Sequence, residues 1–201
     1  KMHPKFQKFI HVKEELDTHE LVMLLDCDVV VTNASIRVEH VWQANSNAST
    51  HLIIARDAWT FKGYVPFNTG VILFKRGEWT FKLLDDIVEK QEALGHTESG
   101  RHWGAKHGGL KDQPRLTEEL WVRGQVSDPF PENFATETEQ HEFVTIVPQR
   151  IMNSFKRSGK EYKATDPETS KWRPGDWLAH VTGMAHDHLR LNVMKNDLNA
   201  C

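Results

Sequence analysis

Several features that would indicate a specialised class of protein are scarce or missing in this sequence. The 201 residues include only two cysteines, Cys27 and Cys201, which allow at most one disulfide bridge and leave the redox compartment open. No apolar run approaches the roughly 18 residues that span a bilayer, and no signal peptide is visible. Lys and Arg (25) are fewer than Asp and Glu (28), so the net charge is -3. The charge therefore predicts no attraction to nucleic acid or to an anionic membrane.

The composition that remains is typical of a globular domain. Hydrophobic residues make up 39% and charged residues 26% of the chain, and we predict one domain over residues 1–201. The first residues, from Lys1, form a basic stretch with a helical pattern. We therefore expect the chain to be a piece of a longer protein.

Apolar patterns along the chain predict strands that alternate with helices. Strands are predicted at 21–25, 51–55, 71–74, 143–147 and 177–181, and helices at 6–16, 79–94, 116–122 and from 186 onward. Residues 29–31 are interpreted as a possible continuation of the first strand. The Gly- and His-rich segment 95–111 predicts a long loop, a candidate lid over a site. This order of elements predicts an α/β sandwich with one central mixed sheet.

Asp26 and Asp28 follow the first apolar strand directly. On a straight strand, side chains two residues apart point to the same face, so both carboxylates could reach one ion and Cys27 would point away. Hard divalent cations such as Mn²⁺ or Mg²⁺ take oxygen ligands and keep open positions for phosphate oxygens. The alternative is a pair of solvated aspartates in a turn.

Three other groups of residues are candidates for a site. His180 lies near the end of the last strand, where it is either a further metal ligand or a buried core histidine. The triplet Asn68, Thr69 and Gly70 precedes an apolar strand and is either a ligand contact or an ordinary turn. The pair Asp112-Gln113 could face a sugar, or Asp112 could be a helix N-cap.

Taken together, these segments resemble glycosyltransferase family 34, the galactosyl/mannosyl/xylosyltransferases. The matching segments follow the family's order and are LLDCD at 24–28, FNTGV at 67–71, Asp112-Gln113, VPQRIMNS at 147–154 and GDWLAHVTG at 175–183. The last two segments are the distinctive ones, since many glycosyltransferases carry an aspartate pair.

The resemblance implies a GT-A-like α/β/α sandwich and transfer of a hexose or pentose with retention of anomeric configuration. It implies Mn²⁺, or Mg²⁺, bound by Asp26, Asp28 and His180. Asp112 and Gln113 would act at the transferred sugar, while Gln149 and Asn153 would support the shape of the pocket. The donor or acceptor contacts would be Asn68, Thr69, Gly70, Gly183 and Asp57, which closes the second strand.

The resemblance also implies partners and a location. The donor would be a UDP- or GDP-sugar, the acceptor a glycan, and nucleic acid would not bind. Family members usually lie in the Golgi lumen on a type II membrane anchor, so any membrane contact would use a segment absent from this chain. The resemblance further implies that the nucleotide-binding β-α part, which normally precedes this region in the family, is missing or truncated here.

Two other functions are compatible with these residues. A metal-dependent hydrolase would use His180 with His186 and His188, although these last two, at i and i+2, do not face each other on a helix. A non-catalytic carbohydrate-binding remnant would bind glycans without metal.

Overall fold

The computed structural model describes residues 4–57, 67–94, 112–126, 137–156 and 170–181, together with Lys195. The predicted loop at 95–111 and the predicted helix from 186 lie outside these residues. Among the described helices, none is long and apolar enough to cross a membrane.

Helices and strands are mixed along the chain. The helices are α1 (Pro4–Leu16), α2 (Val38–Asn45), α3 (Glu78–Leu94), α4 (Asp112–Val122) and α5 (Gln149–Met152). The strands are β1 (Leu21–Leu25), β2 (Val29–Val31), β3 (Leu52–Arg56), β4 (Phe67–Lys75), β5 (Glu139–Gln140), β6 (Val144–Val147), β7 (Ser154–Phe155) and β8 (Leu178–His180). Helix α4 begins four residues before the predicted start at 116, and its first residue is the candidate Asp112.

The central sheet has five strands in the order β1-β4-β3-β6-β5. Strand β3 runs parallel to β6, while the neighbouring pairs β1–β4, β3–β4 and β5–β6 are antiparallel. The predicted central mixed sheet is therefore confirmed. Buried on both faces, β3 and β4 need nearly continuous apolar sequence, which is why they could be recognised.

Two hydrophobic cores cover the two faces of this sheet. Alternate residues of β3 point to opposite sides: Leu52 and Ile54 pack in one core, and Ile53 and Ala55 pack in the other. The first core includes apolar residues of α1, α3 and α4, among them Phe6, Phe9, Leu16, Leu84, Ile87, Leu116 and Leu120. Each such side chain contributes about 1.5–3 kcal/mol on burial.

A second, smaller sheet packs on the other face. Its strand order is β2-β8-β7. Leu178, the first residue of β8, and Trp177 directly before it pack in the second core. The prediction that 29–31 could continue the first strand is wrong, because β2 pairs with β8 rather than with a neighbour of β1. The chain thus leaves the central sheet at Leu25 and enters the second sheet at Val29.

An irregularity in β4 lies at the edge between the two sheets. Ile54 of β3 is opposite Ile72, but the next residue, Ala55, is opposite Asn68. Three residues of β4 are therefore left without partners on β3, and the strand is bent at this point. The bent residues include Thr69 and Gly70, which the sequence had marked as candidates.

Candidate functional site

The two aspartates lie on the tight turn that joins the two sheets. The amide of Asp26 donates to the carbonyl of Gly70 at 2.8 Å, and the amide of Val29 donates to the carbonyl of Asp26 at 3.1 Å. The expected straight strand is wrong here, because β1 ends at Leu25 and the pair follows it in a turn. The turn, rather than strand alternation, brings the two carboxylates to the same place, and Cys27 between them is exposed.

His180 joins this pair from the far end of the chain. It lies at the end of β8, opposite Val29 in the ladder, and its Nε2 is 3.1 Å from Oδ1 of Asp28. One ligand atom from each of Asp26, Asp28 and His180 lies within 4.8 Å of the others. The three predicted ligands are therefore brought together in the structure.

Gly70 provides the space that the imidazole of His180 occupies. A Cβ built on Gly70 would overlap Cε1 of His180 and would lie 2.8 Å from its Nδ1. The same Cβ would lie 2.9 Å from Oδ1 of Asn68, which accepts a hydrogen bond from the amide of Gly70. Glycine is needed at this position because the side chain of His180 lies close to the backbone.

Asp112 is linked to the aspartate turn by a lysine that the sequence reasoning missed. The ammonium of Lys8 on α1 lies 3.0 Å from Oδ1 of Asp26 and forms an ion pair with Asp112. It also donates to the carbonyl of Thr69 at 3.1 Å, while the hydroxyl of Thr69 donates to Asp112 at 2.6 Å. An ordinary lysine on an amphipathic helix gives no sequence signal for such a role.

A second carboxylate, Asp57, is bound by Gln113, the residue that follows Asp112. The amide nitrogen of Gln113 donates to Asp57 at 3.0 Å and to the carbonyl of Phe67 at 2.7 Å. The amide nitrogen of Asn68 lies 3.4 Å from the same Asp57 oxygen. The structure thus places Asp57, Asn68 and Gln113 in one polar network beside the bend of β4.

Three candidates lie outside the described residues. They are Gly183 and the histidines of the hydrolase hypothesis, His186 and His188. The roles suggested for them stay predictions.

The residues present fit a divalent cation. Two carboxylates and an imidazole are a donor set that suits Mn²⁺ and also tolerates Mg²⁺. In addition, His180 is directed at Asp28 by a contact on its opposite side, where its Nδ1 lies 2.8 Å from Oδ1 of the buried Asn153. A hydrogen bond behind a histidine is a common feature of metal sites.

No protein-family profile and no curated protein matches this chain. A crystal structure of a glycosyltransferase involved in the glycosylation of the major capsid of PBCV-1 is similar, with a TM-score of 0.55 and 14% identity. The match covers 98% of this chain and 79% of that chain. At this identity the likeness shows a glycosyltransferase-like fold.

Proposed function

We propose that this chain is the catalytic part of a metal-dependent glycosyltransferase, which moves a sugar from a nucleotide-diphosphate sugar to a glycan acceptor. The observation that carries the proposal is the convergence of Asp26, Asp28 and His180 to within 4.8 Å, next to Asp112. The aspartate turn, Asp112 and His180 are far apart in the sequence and meet where the two sheets adjoin. Similarity of the fold to a glycosyltransferase supports the same function.

The site offers a role for each group of residues. A divalent cation, when bound by Asp26, Asp28 and His180, would neutralise the leaving diphosphate as a Lewis acid. Lys8 balances the charge of two carboxylates and holds Asp112 in place. In our proposal Asp112 faces the anomeric carbon of the transferred sugar and stabilises positive charge that develops there.

The polar network of Asp57, Asn68 and Gln113 suits a sugar. Gln113 and Asn68 are amides with both donors and acceptors, and Asp57 accepts from each of them. We propose that sugar hydroxyls bind here, since a carboxylate and two amides can pair with several hydroxyls at once. This network would orient the donor sugar or the acceptor.

The finer assignment rests on the resemblance to glycosyltransferase family 34. We propose retention of anomeric configuration, a UDP- or GDP-sugar donor, a hexose or pentose as the transferred group, and Mn²⁺ or Mg²⁺ as the cation. A Golgi location is proposed on the same basis.

The decisive experiment is a transfer and hydrolysis assay with a panel of UDP- and GDP-sugars, with Mn²⁺ and after chelation. We expect turnover that depends on the cation and is lost in Asp28→Asn. Asp17→Asn is the matched control, because Asp17 is an exposed carboxylate after α1 and should not affect turnover. Absence of turnover with every donor, together with absence of Mn²⁺ binding, would contradict the proposal.

Two substitutions at Asp112 test its role in the reaction. If the carboxylate attacks the sugar, it is essential. Asp112→Ala and Asp112→Asn should then both nearly abolish transfer while sparing nucleotide binding. If the carboxylate only stabilises charge, Asp112→Asn should keep measurable activity. Metal-independent glycan binding without turnover would instead identify a carbohydrate-binding module.

A further inference from the structure

The imidazole of His180 lies between two oxygen atoms. Its Nδ1 is 2.8 Å from Oδ1 of Asn153, and its Nε2 is 3.1 Å from Oδ1 of Asp28. An amide oxygen and an ionised carboxylate oxygen both accept hydrogen bonds and cannot donate them. A neutral imidazole has only one N–H group, so it can donate to only one of these two oxygens.

The position of that proton decides whether His180 can bind a cation. With the proton on Nδ1, the ring donates to Asn153, and the lone pair of Nε2 faces the carboxylate of Asp28. Two electron-rich atoms that face each other are stabilised by a cation between them. With the proton on Nε2, the ring would donate to Asp28, and that proton would occupy the position of the cation.

The structure holds Asn153 in place from several sides. Its side chain is fully buried, and its amide nitrogen in the main chain donates to the carbonyl of Gln149 at 2.7 Å. Directly after it, β7 pairs with β8, and the ring of Phe155 packs edge-on against His180 with centroids 5.5 Å apart. Asn153 is therefore fixed relative to the strand that carries His180.

The side-chain amide of Asn153 has a further property. Within the described part of the chain its Nδ2 has no hydrogen-bond partner, although it is buried. Leaving a buried N–H group unpaired costs free energy, so the N–H group of this side chain does not explain why an asparagine occupies the position. The paired oxygen faces the histidine, which indicates that the acceptor is the useful part of this side chain.

We propose that Asn153 is a positioning residue that holds the proton of His180 on Nδ1 and so presents Nε2 to a divalent cation. This inference rests on the proposed function, because it assumes the metal site formed with Asp26 and Asp28. It assigns to Asn153 a specific effect on cation affinity, beyond support of the pocket's shape.

Mn²⁺ binding to substituted proteins tests the inference. The free-ion signal in electron paramagnetic resonance measures the affinity directly, without a turnover assay. Asn153→Leu keeps the approximate size but removes the acceptor, and we expect Mn²⁺ affinity to fall about 10–100-fold. Asn153→Asp keeps an acceptor in the same place, and its affinity should stay close to that of the unsubstituted protein.

The neighbouring residue provides a matched control. Ser154 is also fully buried, and its hydroxyl donates to the carbonyl of Arg150 and to Asp176 rather than to His180. Ser154→Ala should lower thermal stability while leaving Mn²⁺ affinity unchanged. If Asn153→Leu binds Mn²⁺ like the unsubstituted protein, or if Asn153→Asp binds as weakly as Asn153→Leu, the inference is wrong.

A second measurement reads the proton position in the unsubstituted protein and does not depend on whether the Asn153 variants fold. In protein loaded with diamagnetic Cd²⁺, ¹H–¹⁵N spectra of the histidine rings report which nitrogen carries the proton, and a His180→Gln sample assigns the signal. We expect the proton on Nδ1; a proton on Nε2 would overturn the inference. Failure of the unsubstituted protein to bind either cation would overturn the metal site itself, whereas normal binding by Asn153→Leu overturns only the role of Asn153.

Discussion

At the scale of single residues, Gly70 shows how little room the candidate metal site leaves. The ring of His180 fills the space that a side chain at Gly70 would occupy. The carbonyl of Gly70 accepts a hydrogen bond from the amide of Asp26. One residue thus contacts both the first aspartate of the site and the histidine. A methyl group here would displace the imidazole or the backbone of β4.

Gly70→Ala is therefore expected to weaken Mn²⁺ binding by about tenfold or more, an effect comparable to loss of a residue that orients a metal ligand. Isothermal titration calorimetry measures the affinity. Gly124→Ala is the control: a positive φ of 67° makes alanine strained there, by about 1–2 kcal/mol, but no atom lies within 4 Å of the added Cβ. Equal Mn²⁺ affinity in Gly70→Ala and in the unsubstituted protein would show that His180 is not a ligand.

Lys8 makes a different kind of prediction, because it contacts both parts of the site. Its ammonium lies beside Asp26, where it competes with a metal cation, and it also forms an ion pair with Asp112. Lys8→Met removes this competition, so Mn²⁺ should bind several-fold more tightly. Transfer should nevertheless slow by about tenfold or more, since Asp112 loses the partner that holds it.

The opposite directions of these two effects make the Lys8 experiment informative. Lys13→Met is the matched control, because Lys13 lies on the same helix and pairs with Asp85, away from the aspartate turn. A parallel fall of cation affinity and transfer rate in Lys8→Met would show that Lys8 only supports folding of the site.

At the scale of elements, a titratable group lies directly before β3 and packs against α3. The ring of His51 packs against both Trp79 and Phe143, with centroid distances of 6.1 Å and 5.8 Å, and these two rings stack on each other at 5.4 Å. A Cβ on Gly77 would overlap this ring, so the turn before α3 is shaped around it. Burial lowers the pKa of His51 below its usual value.

The lowered pKa predicts how stability depends on pH. At a pH between the folded and the unfolded pKa of His51, the unfolded chain binds more protons, so stability rises with pH there. The contribution is complete above about pH 6.5, the ordinary histidine value, and is lost as the pH falls through the lower folded value. We expect His51→Phe, which keeps an aromatic ring, to reduce this acid sensitivity.

Chemical denaturation of His51→Phe at a series of pH values between about 7 and 5 measures the effect. His11→Gln is the control, because His11 is exposed on α1 and its substitution should leave the slope unchanged. An identical loss of stability on acidification in His51→Phe and in the unsubstituted protein would refute the assignment.

At the scale of the whole molecule, the candidate site joins parts of the fold that are distant in sequence. Its side chains come from α1, the β1–β2 turn, β4, α4 and β8, and they meet where the two sheets adjoin. A ligand that bridges these parts binds the folded chain and has no comparable site in the unfolded chain. Binding should therefore stabilise the whole fold.

A ligand at about 100 times its dissociation constant adds about 2.7 kcal/mol to the free energy of unfolding. For a domain of this size, that corresponds to a rise in Tm of roughly 5–10 °C. We expect such a rise with Mn²⁺ and UDP or GDP in thermal unfolding, reversed by a chelator and absent in Asp28→Asn. A similar rise in Asp28→Asn would place nucleotide binding elsewhere.

The sequence alone determined the local elements and the chemical types of the site residues. The continuous apolar runs of β1, β3 and β4 indicated strands, of which β3 and β4 are buried and β1 is half-buried. The aspartate pair and His180 were recognised as ligand types. The sequence did not predict the second sheet. Strands of two or three residues, such as β2 and β7, are too short for their residue pattern to show which strand they pair with.

Only the tertiary structure decided which of these side chains meet. The convergence of Asp26 and Asp28 comes from a turn between sheets, and Lys8 reaches the site because α1 packs across the central sheet. Contacts between residues 18 to 152 positions apart depend on the packing of both cores, and no local pattern encodes them. The sequence thus shows which chemical groups the protein has, whereas the packing of the folded chain decides where these groups meet.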